Sequence, residues 1–302
     1  MVEGINFVIG FDRKENPAIE CARQLGIKLS IFDVIDEFKQ VIIAPRHGYG
    51  ANLNPCLDCK IFMVRKAMAM IKKGNFDFII TGEVIGQRPK SQFRHAMEVL
   101  AEESGAYDLL LRPLCAKCLA PTLPEINGWV NRNLLYNFNG RSRKSQINLA
   151  KELGLENYSQ PAGGCLLTDN NFCQRMRHLW KYRKKKDYSR IDLELLKIGR
   201  HISPHLSYKI IVGRNETENK ILEKLGKNFV LLYPIDCSGP IVLLDGIFDA
   251  ADINLAGKIA ARYSDSHNKK LVKLQIQLTC GTKYLLEVTP FTAQDILPEW
   301  FI

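Results

Sequence analysis

Apolar positions in the first half of the chain switch repeatedly between two kinds of spacing. Short apolar runs occupy Ile5–Phe11, Lys28–Val34, Phe76–Thr81 and Leu109–Leu114, and predict strands. Between them, Pro17–Leu25, Lys60–Lys73 and Ser91–Glu103 repeat their apolar residues at helical spacing. The Lys60–Lys73 helix is the clearest, with Ile61, Val64, Met68 and Ile71 on one face. Gly82 ends the Phe76–Thr81 strand, and Ser91 is the expected N-cap of the helix that follows, with Arg94 and His95 in its first turn. Strand and helix in alternation are the pattern of a parallel α/β sheet.

Beyond Pro113 the pattern loosens into Pro, Gly and Asn punctuation up to about Gly140. A helix is expected over Ser145–Leu153, with Gly154 as its stop. A polar, basic helical region then runs from Asp169 to about Leu196 and contains Arg183, Lys184, Lys185 and Lys186. The domain boundary is placed inside it, giving domains 1–188 and 189–302. After Gly199 the pattern changes to strands at His201–Val212, Phe229–Tyr233, Ile241–Leu244, Lys270–Leu278 and Tyr284–Thr289. Helices at Glu216–Leu225 and Asn254–Ser264 interrupt them, which reads as a small α+β module.

A chain of 302 residues, 46% hydrophobic and 25% charged, has room for two cores. No apolar run approaches a membrane span, and the N-terminus lacks the regions of a signal peptide. The expected location is the cytoplasm, where clustered thiols point to metal binding or catalysis rather than disulfides. The net charge of +10 favours polyanionic partners, nucleic acid first.

Cys56 and Cys59 stand where a loop enters the Lys60–Lys73 helix, and Cys165 follows a distant Pro161-Ala162-Gly163-Gly164 stretch. The positive end of a helix lowers thiol pKa, so the pair is expected as thiolates. Three thiols are one short of a closed zinc site, whereas an iron–sulfur cluster on three thiolates keeps one iron free. Zinc stays open as an alternative with His47 as a fourth ligand, as does a redox dithiol. Cys115 and Cys118 lie too far along the chain from the first pair for zinc-ribbon spacing and read as buried thiols.

Thr81-Gly82-Glu83 ends a strand at the edge where α/β proteins bind ligands. Glu83, Gln87 and Ser91 offer polar side chains there, and Arg88 suits a phosphate. Asp58 can hold nearby amides or act on a substrate. Arg141, Arg143 and Lys144 form one basic loop and Arg183 to Lys186 another, both candidates for phosphate contact with RNA. Trp180, Tyr182 and Tyr188 either stack on bases or pack between domains.

Four blocks carry a resemblance: His47-Gly48-Tyr49-Gly50 leading to Asn54-Pro55-Cys56-Leu57-Asp58-Cys59; Thr81 to Pro89 with Ser91-Gln92; Gly140 to Lys144; and Pro161 to Asp169. Together they resemble the adenylating tRNA sulfurtransferases of the 4-thiouridine synthase and 2-thiouridylase type, in the cluster-binding subgroup that lacks a rhodanese domain. The region after Gly199, with Lys209-Ile210-Ile211-Val212-Gly213-Arg214-Asn215-Glu216, is similar to the NFACT RNA-binding domain. The resemblance implies a parallel sheet of the adenine nucleotide alpha-hydrolase (PP-loop) type, followed by a small α+β domain. It implies ATP-dependent tRNA thiolation, with Cys56, Cys59 and Cys165 holding a 4Fe–4S cluster that presents hydrosulfide. Glu83, Gln87 and Asp58 would then serve catalysis, and Gly82, Arg88, Ser91 and Gln92 would line the site for ATP and magnesium. Expected partners are tRNA and a sulfur donor, either sulfide or a cysteine desulfurase, with no membrane. A homodimer fits such enzymes because a long tRNA can bridge two subunits.

The chain departs from that family in one respect. The Ser-Gly-Gly-x-Asp-Ser loop that grips pyrophosphate is absent, and Val2–Phe11 resembles the strand that normally follows it. The chain therefore reads as starting one βα unit late, which puts adenylation by these residues alone in question. The rival expectation is a non-catalytic RNA-binding protein with a structural metal; a cysteine persulfide carrier is a third.

Overall fold

The computed structural model describes residues 1–12, 17–71, 73–74, 76–156, 158 and 164–302. The chain divides into two compact units, Met1–Thr168 and Asp169–Ile302. No helix among the described residues is long and apolar enough to cross a membrane.

The first unit contains two separate parallel pairs. β1 (Glu3–Val8) pairs in parallel with β2 (Lys28–Asp33), and β3 (Ile79–Ile80) with β4 (Leu110–Leu111). Between and after the strands lie α1 (Pro17–Leu25), α2 (Ile35–Ile43), α3 (Cys56–Ile71) and α4 (Arg94–Ser104). A one-turn α5 (Leu123–Ile126) and α6 (Lys144–Glu152) complete the unit's helices among the described residues. Its core joins α3 and α4, with Ile61, Val64 and Met68 of α3 meeting Leu100 and Ala101 of α4 and Leu110 of β4. The helical spacing seen in the sequence therefore faces the core as expected.

The expected single parallel sheet is not formed among the described residues; two small parallel sheets stand in its place. Pairing is short in both: β3 and β4 pair over only two residues each, and among the described residues β1 pairs with β2 alone. Helix α3 starts at Cys56, four residues earlier than the pattern suggested, so both cysteines sit in its first turn. Ser91 is not the cap of α4; that position is Phe93, because the backbone of Gln92 is tied back to Arg88 by a 3.0 Å hydrogen bond.

The second unit is a six-stranded antiparallel sheet in the order β10-β9-β7-β8-β6-β5. Its strands are β5 (Arg200–Ile202), β6 (Tyr208–Val212), β7 (Val230–Pro234), β8 (Val242–Gly246), β9 (Val272–Gln277) and β10 (Lys283–Val288). The expected His201–Val212 strand is two, β5 and β6, with Arg200 opposite Val212. The basic helical stretch is likewise two helices, α7 (Asn170–Tyr182) and α8 (Arg190–Lys197). Asp169 caps the first, and a Ser189–Asp192 capping box starts the second.

Alternation along the central strands assigns two faces. Ile210, Val212, Leu232, Val242 and Leu244 pack with Ala256, Ile259 and Ala260 of α10 (Ala250–Arg262). Ile211, Leu231 and Leu243 face the other way and pack with Leu195 of α8 and Leu222 of α9 (Glu216–Leu225). Both faces are covered, so β6 is buried at every residue.

Candidate functional site

In the first unit the polypeptide brings the four separated sequence blocks to one place. The Cys165 strap is tied on two sides. Leu166 donates from its backbone to Phe11 at 2.8 Å, and Asp12 and Cys165 form an antiparallel bridge. On the other side Leu53 donates to the Leu167 carbonyl at 3.3 Å, and the Asn52 amide to the Thr168 carbonyl at 3.1 Å. Pro161, Ala162 and Gly163 of that block lie outside the described residues.

The three cysteines expected as ligands are neighbours. Burial pushes the Cys59 thiol up, and the adjacent Cys165 and Cys56 push it further, while the Lys60 ammonium pulls it down. This reverses the expected thiolate character at Cys59: desolvation outweighs the helix terminus. The Cys56 thiol donates to Asn54 Oδ1 at 2.6 Å. Among the described residues no three His, Cys, Asp or Glu side chains form a set closed enough to hold a metal ion. His47, the candidate fourth zinc ligand, points its Nε2 at Glu103 Oε1 at 3.2 Å instead. Asp58 accepts from the backbone of Arg46 at 2.8 Å and of His47 at 3.1 Å, so its carboxylate holds the incoming loop on α3.

Beside this pocket, Glu83 is the centre of a buried ion triad. Lys60 Nζ lies 2.5 Å from Glu83 Oε1, and Arg112 Nε 2.9 Å from Oε2. Burial alone would raise the Glu83 pKa, but Lys60 and then Arg112 outweigh it and hold the carboxylate ionised. Both oxygens are thus committed to cations. Gln92, also buried, has its amide between Lys60 Nζ and the Val84 carbonyl, each at 3.2 Å when the oxygen is turned to the lysine. Ser91 Oγ is buried and lacks a hydrogen-bond partner among the described residues. Gly82 is exposed, with nothing within 4 Å of where a Cβ would stand, while Gln87 and Arg88 are half-buried.

The loop from Gly82 to Gln92 reaches the first basic loop. Ile85 bridges to Asn139, Gly140 donates to the Ile85 carbonyl at 2.8 Å, and a Cβ on Gly86 would stand 3.2 Å from Gly140 backbone atoms. Gly86 has φ +79°, so both its backbone angle and this close approach require glycine. Arg141 and Lys144 follow directly and are exposed; Arg143 is half-buried as the N-cap of α6.

Sequence reasoning missed Lys60 and Arg112. Lys60 follows Cys59 directly, and Arg112 is a charged residue closing an apolar strand, both readable signals. Cys115 is buried and donates to the Glu83 carbonyl at 3.2 Å; Cys118 donates to the Asn137 carbonyl at 3.3 Å.

In the second unit, the Arg183–Lys186 run splits in role. Arg183 forms a two-pronged ion pair with Asp192, both contacts 2.7 Å, and reaches Asp245 at 3.4 Å. Tyr182 donates to the same Asp245, and the buried Lys209 Nζ lies 3.4 Å from it. Lys184 and Lys185 are exposed; Lys185 pairs with Asp187 at 2.9 Å, and Lys186 lies over the Trp180 ring at 5.2 Å. Tyr188 is 3% exposed. Tyr182 is thus held by Asp245 and Tyr188 is buried within the unit, while Trp180 is half-buried beneath Lys186. The lone lysine at 209 inside an apolar strand was a signal of this network that periodicity alone passed over.

Residues 199–301 match the family model of the NFACT protein RNA binding domain. An RNA-binding domain is present. It comprises the six-stranded sheet with α9 and α10, and agrees with the resemblance drawn from Lys209 to Glu216. No curated protein matches the chain. Among solved structures, the C-terminal part of the fibronectin/fibrinogen-binding protein from Streptococcus suis is similar at 14% identity. That alignment covers 82% of this chain and 94% of the other with a TM-score of 0.30, too low to bear on fold or function.

Proposed function

We propose that the chain binds a structured RNA, with tRNA as its target, through the domain at residues 199–301. The observation that carries this reading is the family match of that domain. The net charge of +10 supports it, since phosphate neutralisation by Lys and Arg supplies most of non-specific RNA affinity. Lys184, Lys185, Arg141 and Lys144 are exposed and suit phosphate; Arg183, committed to Asp192, is a structural residue in this reading. The test is competition binding of a labelled tRNA against duplex DNA over a range of salt. Binding that weakens with salt yet resists DNA supports the proposal; no binding at low salt contradicts it.

A second reading, tRNA uridine thiolation, is favoured by one observation: the Cys59 thiol has both Cys56 and Cys165 close enough to act on its charge, and the next residue, Lys60, belongs to the Glu83 triad. Three soft thiol donors from a helix start and a strap suit a 4Fe–4S cluster. A cluster bound there would supply sulfur in reactive form. The chain's own part would be to position the base beside the exposed Gly82 backbone and to offer Arg88 to ATP with its magnesium, Ser91 being buried beneath them. Lys60 and Arg112 would remain neutralised by Glu83, which fixes the floor of the site rather than moving a proton. Iron and acid-labile sulfide in chain purified without oxygen, together with the visible absorption band, test this. Loss of both on Cys165→Ala supports it; zinc without sulfide would leave a structural metal and the RNA-binding reading alone.

A further inference from the structure

The sheet of the second unit is covered along one face and only half covered along the other. Val272, Leu274 and Ile276 of β9 and Val288 of β10 pack with α10. Side chains alternate along a strand, so Lys273, Gln275 and Gln277 point away from α10, as do Lys283, Leu285 and Glu287 of β10. Helices α8 and α9 cover that second face over Ile211, Leu231 and Leu243, and the apolar layer they build holds no residue of β9 or β10. The register orders what stays open. Tyr233, Gln275 and Leu285 form a row across β7, β9 and β10. Gln277 stands opposite Lys283 on one side of the row, and Lys273 opposite Glu287 on the other. Leu285 is 64% exposed, both lysines are exposed, and the two glutamines and Tyr233 are half-buried.

These rows lie inside residues 199–301, the stretch that matches an RNA-binding family. We infer that the RNA lies on this open half-face, as an unpaired run laid across β7, β9 and β10. The inference rests on the RNA-binding reading and adds where the RNA is held and in what form. A duplex hides the faces of its bases, and only unpaired bases can be splayed onto a sheet. Leu285 gives an apolar top on which such a base lies. Gln275 and Gln277 each carry a donor and an acceptor on one amide, which is what a base edge requires. Lys273 and Lys283 flank the row on its two sides, where phosphates would pass. The nearby carboxylates stand at the margins: Glu287, 3.4 Å from Lys273, and Glu223 of α9. Burial first, and Glu223 after it, raise the Tyr233 pKa, so its hydroxyl keeps the proton and donates. Three strands ~4.8 Å apart span about 10 Å, and an open sheet of that kind takes about two or three bases.

The test is binding of the full chain, at low salt, to a fluorescein-labelled single-stranded RNA of about ten nucleotides and mixed sequence, within the range such surfaces cover. The same RNA annealed to its complement is the second probe. The single strand is expected to bind more tightly than the duplex. Leu285→Tyr should tighten its binding by about fivefold or more, because an aromatic face then stands in the row to stack on a base. Leu285→Glu should weaken it by about tenfold or more, since a carboxylate there repels the phosphates. Ile247→Glu makes the same change at an apolar position 82% exposed elsewhere in the unit, and should weaken binding by less than about twofold. Unchanged binding by both Leu285 variants, equal weakening by Ile247→Glu, or a preference for the duplex overturns the inference and leaves the RNA-binding reading standing. No binding of either probe by the unsubstituted chain removes that reading and the inference with it.

Discussion

The two units build their strands from similar apolar residues and arrive at opposite degrees of closure. In the second, β6 is buried at all five residues and β8 at four, because helices cover both faces and neighbours flank both edges. In the first, no residue of β1 is fully buried and four of the six in β2 are exposed. Antiparallel hairpins close locally, whereas a parallel sheet needs crossovers and a complete set of strands before its edges are satisfied. The polar centres follow the same division. Both units bury an ion network, but the Asp192 and Asp245 network is locked where α8 covers the sheet, while Glu83 and Lys60 of the other line a cavity.

The sharpest way to break the comparison is to remove one carboxylate from each network. Asp192→Ala, at a side chain 1% exposed, is expected to cost ~3–5 kcal/mol, because Arg183 loses its two-pronged partner and α8 its capping box. Glu83→Ala leaves Lys60 and Arg112 facing one another and should cost a similar ~3–5 kcal/mol, confined to exchange in the first unit. Segment-resolved hydrogen exchange reads both; loosening of the wrong unit would contradict the division.

Next in size is the contrast between sheets. Leu243→Ala, fully buried between α8, α9 and the sheet, is expected to lower stability by ~2–5 kcal/mol. Ile80→Ala on the open edge should change it by less than ~1 kcal/mol. Urea midpoints of the two variants check this, and equal effects would mean that the β3 edge is covered.

A further contrast between the units is pH dependence. Burial, reinforced by Lys209 and Lys181, lowers the His178 pKa from 6.5 to about 4, and burial holds His201 well below 6.5. The unfolded chain therefore takes up protons that the folded unit refuses. This contribution is fully present above pH 6.5 and is lost as pH falls towards 4. In the first unit Glu83 is held below 4.5, so its contribution survives until the pH falls under that value. Acidification from pH 7 to 5 should loosen amides of the second unit first; the reverse order, read by exchange, would refute the assignment.

Much of this was legible in the sequence where the signal is local. Pro17–Leu25 and Glu216–Leu225 were read with the bounds they have, because helical spacing and the Asn215 cap lie within a few residues. The neighbourhood of Cys56, Cys59 and Cys165 was legible only through the resemblance, since no periodicity links residue 59 to residue 165. The two-stranded sheets were not legible: an apolar run such as Phe76–Thr81 states that a strand is suited to burial, not that its neighbours are there to bury it. Helix α2 over Ile35–Ile43 was missed because its mixed run, Ile-Asp-Glu-Phe-Lys-Gln-Val-Ile-Ile, sits against a strand and offers no side-chain cap; Val34 stands in that place. Arg183 was grouped with its lysine neighbours by charge, and only the position of Asp192 nine residues on separates it from them.

The most direct test of the account is hydrogen exchange of the full chain with and without tRNA at low and at high salt. The account predicts tRNA-dependent protection within residues 199–301 and the adjoining Lys184–Lys185 turn, fading as salt rises. Protection confined to Met1–Thr168, or none at low salt, would contradict it.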